Sequence, residues 1–236
     1  MKRYFILILI VTSVLLYYGC KMDNYDPPKS MLTGTIVYNG IPVGVRSNGT
    51  QLELWQYGFK LRSKIAVYIA QDGTYSTRLF DGNYKLVRLA GAPWANMPTD
   101  SIDVTVKGNT VVDVPVTPYF VITGETFTLN KAVGDTNITA TCSITKVGTS
   151  NISNLTLYIG ITNIVDNTNT AQSAAISGAA LTDLSTPKTV KVKLISTGTT
   201  PLIFMNQRPY VYARLGIQIS GVGERYFTPV QKITLQ

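Results

Sequence analysis

The residues able to do chemistry in this chain are few. None of the 236 residues is a histidine, which removes the usual general base and the commonest zinc ligand. There are two cysteines, Cys20 and Cys142. Cys142 stands in Ile138-Thr-Ala140-Thr-Cys142-Ser-Ile144, where every second residue is apolar, so it reads as a buried strand residue and not a nucleophile. The Gly-x-x-x-x-Gly-Lys phosphate loop is absent. Hydrolysis of a glycosidic bond needs two carboxylates across a cleft. The candidates are Glu53, Asp72, Asp81, Asp100, Asp103, Asp113, Glu125, Asp135, Asp166, Asp183 and Glu224. Asp72 and Asp81 each precede a glycine and are explained by turns. Asp103 and Asp113 alternate with valines and read as solvent-facing strand residues. Nothing pairs convincingly. Asp166-Asn-Thr-Asn169 offers oxygens for Ca²⁺ but lacks the glycine and closing glutamate of a calcium loop, so it reads as a polar turn. The expectation is a non-enzyme with no metal and no cofactor.

Aromatic side chains are the remaining lead. An aromatic face stacks on the apolar face of a pyranose while polar neighbours bond its hydroxyls. In Gln51–Tyr57, Leu52 and Leu54 share one face, which leaves Glu53, Trp55 and Tyr57 on the other. Trp94 lies in a proline-framed loop, Gly91-Ala-Pro-Trp94-Ala-Asn96-Met-Pro98. Tyr210, Tyr212 and Arg214 oppose Val211, Ala213 and Leu215 in the same way. Trp94, Trp55 and Tyr57 are the proposed ligand-binding residues. The competing reading has Trp55 packed between domains and the tyrosines covering sheet surfaces.

The elements that must position these residues are strands throughout. Candidates are Leu32–Tyr38, Gln51–Tyr57, Lys64–Ala70, Thr74–Leu79, Tyr84–Ala90, Ser101–Val106 and Thr110–Val116. Turn pairs punctuate them at Asn39-Gly40, Asp72-Gly73, Asp81-Gly82 and Gly108-Asn109. Ile65, Val67 and Ile69 share one face, as do Tyr84 and Leu86, with Arg88 at the rim. Pro115-Val116-Thr117-Pro118 cannot sit in a central strand and marks a domain boundary. Beyond it, Ile138–Ile144, Leu155–Ile161, Val190–Leu194 and Val211–Ile217 alternate apolar with polar. In Phe120–Leu129 the apolar phase slips by one residue, which a β-bulge at Gly124 would restore. Residues 166–188 read as a long connection with a helical turn around Ala171–Ile176. The fold class is all-β. Two tandem β-sandwiches are expected, at 31–118 and 119–236, the second immunoglobulin/fibronectin-like.

The first residues read as an export signal. Lys2 and Arg3 precede the apolar run Tyr4–Val11, continued by Val14-Leu15-Leu16, and Gly19-Cys20 ends it at the position cleaved and acylated in bacterial lipoproteins. Tyr17 departs from the usual leucine three residues before that cysteine. Residues 1–19 are therefore expected to be a signal peptide, Cys20 the lipidation site and 20–30 a polar tether. An uncleaved N-terminal anchor is the alternative. Cleavage would leave 217 residues, with 19 Lys and Arg against 13 Asp and Glu. The positive charges are scattered rather than clustered with aromatics, so nucleic acid is not an expected partner. A polyanionic outer-membrane surface accounts for the excess. With Cys20 lipidated, Cys142 has no disulfide partner.

A longer pattern runs through Gly34-Thr-Ile-Val-Tyr-Asn-Gly40, Pro42-Val43 and Gln51-Leu-Glu-Leu-Trp55-Gln. It continues through Gln71-Asp-Gly73-Thr-Tyr75, Leu79-Phe-Asp-Gly82-Asn-Tyr84-Lys-Leu86 and Val114-Pro-Val-Thr-Pro118-Tyr. In outline it resembles transthyretin-like, carboxypeptidase-regulatory-like sandwiches. More closely it is similar to the Bacteroidetes lipoproteins of domain-of-unknown-function family 3823, over nearly the whole chain after Cys20. The resemblance implies a lipid-anchored accessory protein of the outer membrane, on its periplasmic or external face, beside SusC/SusD-like glycan uptake proteins. It supplies no catalytic residues. Asp100-Ser101-Ile102 also resembles the Bacteroidetes O-glycosylation motif. The leading expectation is a non-catalytic glycan-binding component of such a system. The alternatives are a structural spacer or assembly subunit that binds protein, and a glycosidase with an unrecognised carboxylate pair.

Overall fold

The computed structural model describes residues 26–58, 60, 63–97, 101–132, 135–194 and 209–235. The expected signal peptide, Cys20, the first part of the tether and Asp100 lie outside them. The described residues are strands joined by turns, with one 3-10 turn at Gly178–Leu181.

Nine strands make the first half. The first sheet is built on β1 (Ser30–Tyr38). On one side β1 pairs antiparallel with β2 (Ile41–Pro42) and β5 (Thr74–Leu79); on the other it pairs parallel with β8 (Asn109–Val111) and β9 (Val114–Pro115). The second sheet runs β4 (Lys64–Tyr68), β3 (Gln51–Gln56), β6 (Gly82–Arg88), β7 (Ser101–Val106), all antiparallel. Period-two sequence makes each sheet two-faced. Leu32, Ile36, Leu52, Leu54, Val67, Tyr84, Leu86 and Val104 turn inward and are buried. Each such side chain withdrawn from water contributes ~1.5–3 kcal/mol before chain entropy is subtracted. Arg88 shares that inward face and is buried, its Nη1 donating to the Pro115 carbonyl at 2.9 Å.

The run expected as one strand over 110–116 is two, and the reason is local. The Val112 carbonyl presses against β1 so closely that a Cβ added at Gly34 would lie 1.8 Å from it. Val112 still donates to Thr33 O at 2.8 Å, but the Thr35 N–H has lost its ladder partner. The Asp113 carboxylate accepts that N–H at 2.9 Å in its place. This bond lies at the surface, where a hydrogen bond contributes ~0.5–1.5 kcal/mol net, and with it the acid completes the sheet.

Eight strands make the second half. One sheet is β10 (Phe120–Asn130), β11 (Asn137–Lys146), β14 (Lys188–Lys193). The other is β13 (Gln172–Ser177), β12 (Ile152–Gly160), β15 (Tyr210–Ile219), with β16 (Arg225–Phe227) and β17 (Gln231–Thr234) both on β15. The β10–β11 register shifts between Thr123 and Thr126, around Gly124 at φ 62°, as the phase slip requires. Cys142 is buried among β11's apolar residues, and burial pushes its thiol pKa up to about 11. The helical turn expected at 171–176 is instead β13, an edge strand paired to β12. Its Gln-Ser-Ala-Ala-Ile-Ser sequence alternates half-buried with exposed, but its side chains are too small for the alternation to show as hydropathy.

Candidate functional site

The outer face of the β4–β3–β6–β7 sheet brings aromatic and hydrogen-bonding side chains together on one surface. Because Leu52 and Leu54 point inward, pleating turns Glu53, Trp55 and Tyr57 outward. Cross-strand register then sets their neighbours. Trp55 lies opposite Lys64 on β4 and Lys85 on β6, and Lys85 lies opposite Asp103 on β7. Directly opposed residues have Cβ atoms ~4.5–5.5 Å apart, so the two lysine side chains leave the sheet on either side of Trp55. Lys64 is ion-paired to Glu53 at 2.6 Å. Tyr57 is 51% exposed and its hydroxyl donates to Asp103 Oδ1 at 2.9 Å. Below them Thr105 Oγ1 donates to Asn83 Oδ1 at 2.8 Å. Lys85 makes no ion pair or hydrogen bond among the described residues. The result is a partly exposed indole with a phenol nearby, framed by groups that both donate and accept. Such a surface can stack on the C–H face of a sugar and bond its hydroxyls.

Trp94 does not join this face. It is 3% exposed, in the core, and its chain bridges to Pro118. Ala95 N donates to Thr117 O at 2.8 Å and Tyr119 N to Pro93 O at 3.3 Å. The proline-framed loop is thus a clamp on the segment that enters β10, and its indole is packing, not platform. Arg214 is the second correction. Expected on an outward face with Tyr210 and Tyr212, it is 1% exposed.

The cover over Arg214 comes from both halves of the chain. Its Nη1 donates to Val45 O and Val165 O, both at 3.1 Å, its Nη2 to Gln71 O at 2.5 Å and its Nε to Thr228 O at 2.6 Å. The guanidinium also sits 4.5 Å from the Phe227 ring centroid, a desolvated cation–π contact. Burial pulls its pKa down, to about 10, while the nearby Asp166 and Asp72 carboxylates work the other way. It therefore stays charged at neutral pH. Gln71 completes the joint, its Nε2 donating to Asn163 O at 2.6 Å and its Oε1 accepting Val165 N–H at 3.3 Å. Arg46 and Glu224 form a bidentate pair across the same junction, at 2.6 and 3.1 Å. Sequence reasoning missed all of these. The available signal was β15 itself, where Tyr-Val-Tyr-Ala-Arg-Leu-Gly-Ile has a glycine and no second charge on the supposed solvent face.

Among the described residues every carboxylate except Glu125 has a hydrogen-bonding or ion-pair partner. Asp81 accepts the Ser30 hydroxyl and the Gly108 N–H, which hold its pKa below the usual range. Burial would raise the Asp166 carboxyl, but hydrogen bonds from Thr168 and Asn169 outweigh it and keep it low. All four donors to Asp166 Oδ1 come from Thr168 and Asn169, at 2.7–3.1 Å. Asp135 pairs with Lys191 at 2.7 Å. Among the described residues no three His, Cys, Asp or Glu side chains cluster to hold a metal ion.

Comparison with known proteins follows the same two halves. Residues 30–117 match the family model "Protein of unknown function (DUF3823) N-terminal domain", and residues 126–232 match "Domain of unknown function (DUF3823_C)". A DUF3823 protein of Bacteroides ovatus of known structure is 37% identical, with a TM-score of 0.77 over 88% of this chain and 100% of its own. One from Parabacteroides merdae is 29% identical, with a TM-score of 0.77 over 89% and 100%. A Bacteroides uniformis structure named "putative carbohydrate binding protein" is 22% identical, with a TM-score of 0.69 over 88% and 100%, a likeness of fold. No curated protein matches the chain significantly.

Proposed function

Starting from the fact that this chain belongs to the DUF3823 family, we propose that it is a non-catalytic glycan-binding lipoprotein of the outer membrane. The binding surface is the outer face of the β4–β3–β6–β7 sheet. The observation that carries this reading is Trp55, partly exposed between Lys64 and Lys85 in the register of the sheet, with Tyr57 exposed just past the end of its strand. One of the similar structures is named for carbohydrate binding, at an identity that transfers fold and not ligand, so the argument rests on the face itself. The non-catalytic reading is supported by the partners of the carboxylates, which serve turns, sheet closure and ion pairs. Among the described residues the carboxylates on this face are Glu53, held by Lys64, and Asp103, held by Tyr57.

Cys20 anchors the protein by lipid in this reading, and residues 21–30 tether it. A SusC/SusD-like transporter pair is its partner, to which it presents captured polysaccharide. The direct test compares retention of wild type and Trp55→Ala on insoluble and soluble polysaccharides. Loss of retention in the variant, with unchanged thermal stability, supports the surface; equal retention removes it. A Cys20→Ser variant released from membranes supports the anchor. A second reading, a rigid spacer that binds protein, is favoured by the buried Arg214 joint between the halves. Stoichiometric recovery with a transporter from detergent extracts, with no retention by any glycan, would favour it over glycan capture.

A further inference from the structure

The glycan surface does not end at the sheet edge. β4 and β5 form a hairpin, closed by the antiparallel bridge Ile69↔Tyr75 and by Ala70 N–H to Thr74 O at 2.8 Å. This hairpin carries the outer face of one sheet onto the outer face of the other. Register continues across it. Tyr68 falls beside Ser76, Ser76 pairs Thr33 on β1, and Thr33 pairs Val111 on β8. These residues surround a trough of about 480 Å³.

The chemistry of the trough is that of a sugar site. Its aromatic wall, Tyr68, is 50% exposed, and its opposite wall, Val111, is 73% exposed. Thr33, Thr35 and Ser76 line it, and their hydroxyls have no hydrogen-bond partner among the described residues. The backbone at Gly34 forms part of the floor. The one charged lining residue is Asp113, which spends Oδ1 on the Thr35 N–H and keeps Oδ2 for a ligand. A carboxylate with hydroxyls around it accepts from sugar hydroxyls and repels an acidic sugar. No cation lines the trough to offset that repulsion.

Tyr68 lies four residues along β4 from Lys64, the cross-strand neighbour of Trp55. At a strand rise of ~3.3 Å per residue the Lys64 and Tyr68 backbone positions lie roughly 13 Å apart, a span wider than one pyranose. We propose that the Tyr68 trough is a second subsite for a neutral glycan, and that one oligosaccharide chain bridges it to Trp55. This rests on the reading of Trp55 given above.

The test is calorimetric titration of wild type, Trp55→Ala, Tyr68→Ala and Tyr68→Phe with neutral disaccharides and hexasaccharides. The probes are the maltose, cellulose, xylan and mannan series, with polygalacturonate as the acidic comparison. The expected result has three parts. Tyr68→Ala weakens hexasaccharide binding about five- to ten-fold, the range of one aromatic stacking contact. It leaves disaccharide binding unchanged, and Tyr68→Phe behaves as wild type. Hexasaccharide binding equal in Tyr68→Ala and wild type, but lost in Trp55→Ala, overturns the second subsite alone. Preference for polygalacturonate overturns the neutral class. Wild type that binds none of the glycans overturns the Trp55 surface and the subsite together.

Discussion

The Arg214 guanidinium on β15 reaches out of its own sheet and donates to the backbone carbonyl of Gln71, 143 residues away in sequence, at 2.5 Å. With Val45, Val165 and Thr228 as its other acceptors, this one side chain satisfies carbonyls from both halves of the chain. Among the described residues no carboxylate is hydrogen-bonded or ion-paired to it. The charge is held by oriented peptide dipoles and the Phe227 ring, with Asp166 and Asp72 acting at a distance. The Gly44 Cα faces it so closely that a Cβ there would lie 2.8 Å from Nη2 and 2.4 Å from Phe227 O.

Removal of that side chain should therefore be costly out of proportion to its size. Arg214→Ala removes the side-chain donor from three buried carbonyls and from the part-buried Gln71 carbonyl and opens a cavity, for an expected loss of about 3–5 kcal/mol. The halves should also uncouple. Urea unfolding followed by intrinsic fluorescence is expected to show one transition in wild type and two in the variant. A single transition at the wild-type midpoint would show that the joint contributes no coupling.

Arg46 and Glu224 make the second tie across the junction, part-exposed and bidentate. The Glu224 hydrogen bond raises the Arg46 pKa despite some burial. Exposed pairs contribute ~0–1 kcal/mol, and bidentate geometry places this one near the upper end. A double-mutant cycle of Arg46→Ala and Glu224→Ala should give a coupling energy of about 1 kcal/mol that shrinks in 1 M salt. Additive single effects would remove the pair from the account.

Much of this architecture was legible from residue order. Leu52 and Leu54 fixed which way Trp55 and Tyr57 face, because strand geometry leaves no other choice. The phase slip at Gly124 located a bulge for the same reason. What was not legible depends on a partner surface distant in sequence. Arg214 looked solvent-facing because alternation reports one sheet, and the cover supplied by Val45 and Gln71 lies far upstream. Trp94 looked displayed because a loop rich in glycine and proline has no period to reveal that its indole turns inward.

Acid should loosen the joint through Asp166, whose folded-state pKa is depressed by Thr168 and Asn169. A depressed carboxyl contributes stability that is fully present above its unfolded value, about 3.9, and is lost as pH falls through the folded value. Stability of wild type, measured by urea midpoint, should therefore fall below about pH 4. In Asp166→Asn the neutral side chain cannot titrate. It should be less stable at pH 7 by about 1–3 kcal/mol, with the gap narrowing in acid. Parallel curves for the two proteins would refute the role.

Gly34→Ala tests the split between β8 and β9. The new methyl would meet Val112 O at 1.8 Å and the Tyr75 hydroxyl at 2.9 Å. That hydroxyl donates to the same carbonyl at 2.5 Å, so β1 and β8 must separate. A loss of about 2–4 kcal/mol is expected, in the range of overpacked cores. Asp113→Ala, which leaves the Thr35 N–H open, should cost about 1 kcal/mol. A Gly34→Ala protein as stable as wild type would mean that the strands are not packed this closely.

The two tryptophans should separate stability from binding. Trp94 is buried against the 117–119 segment, so Trp94→Ala is expected to cost about 3–5 kcal/mol while leaving glycan affinity unchanged below the melting midpoint. Trp55 is only partly exposed on its sheet face but lies outside the core, where truncation removes less packing than at Trp94. Trp55→Ala should shift the midpoint by no more than about 1 kcal/mol and abolish retention on polysaccharide. The opposite pattern would place the ligand at the β10 entrance instead of the sheet face, with Trp94→Ala as stable as wild type but blind to glycan and Trp55→Ala unaffected in binding.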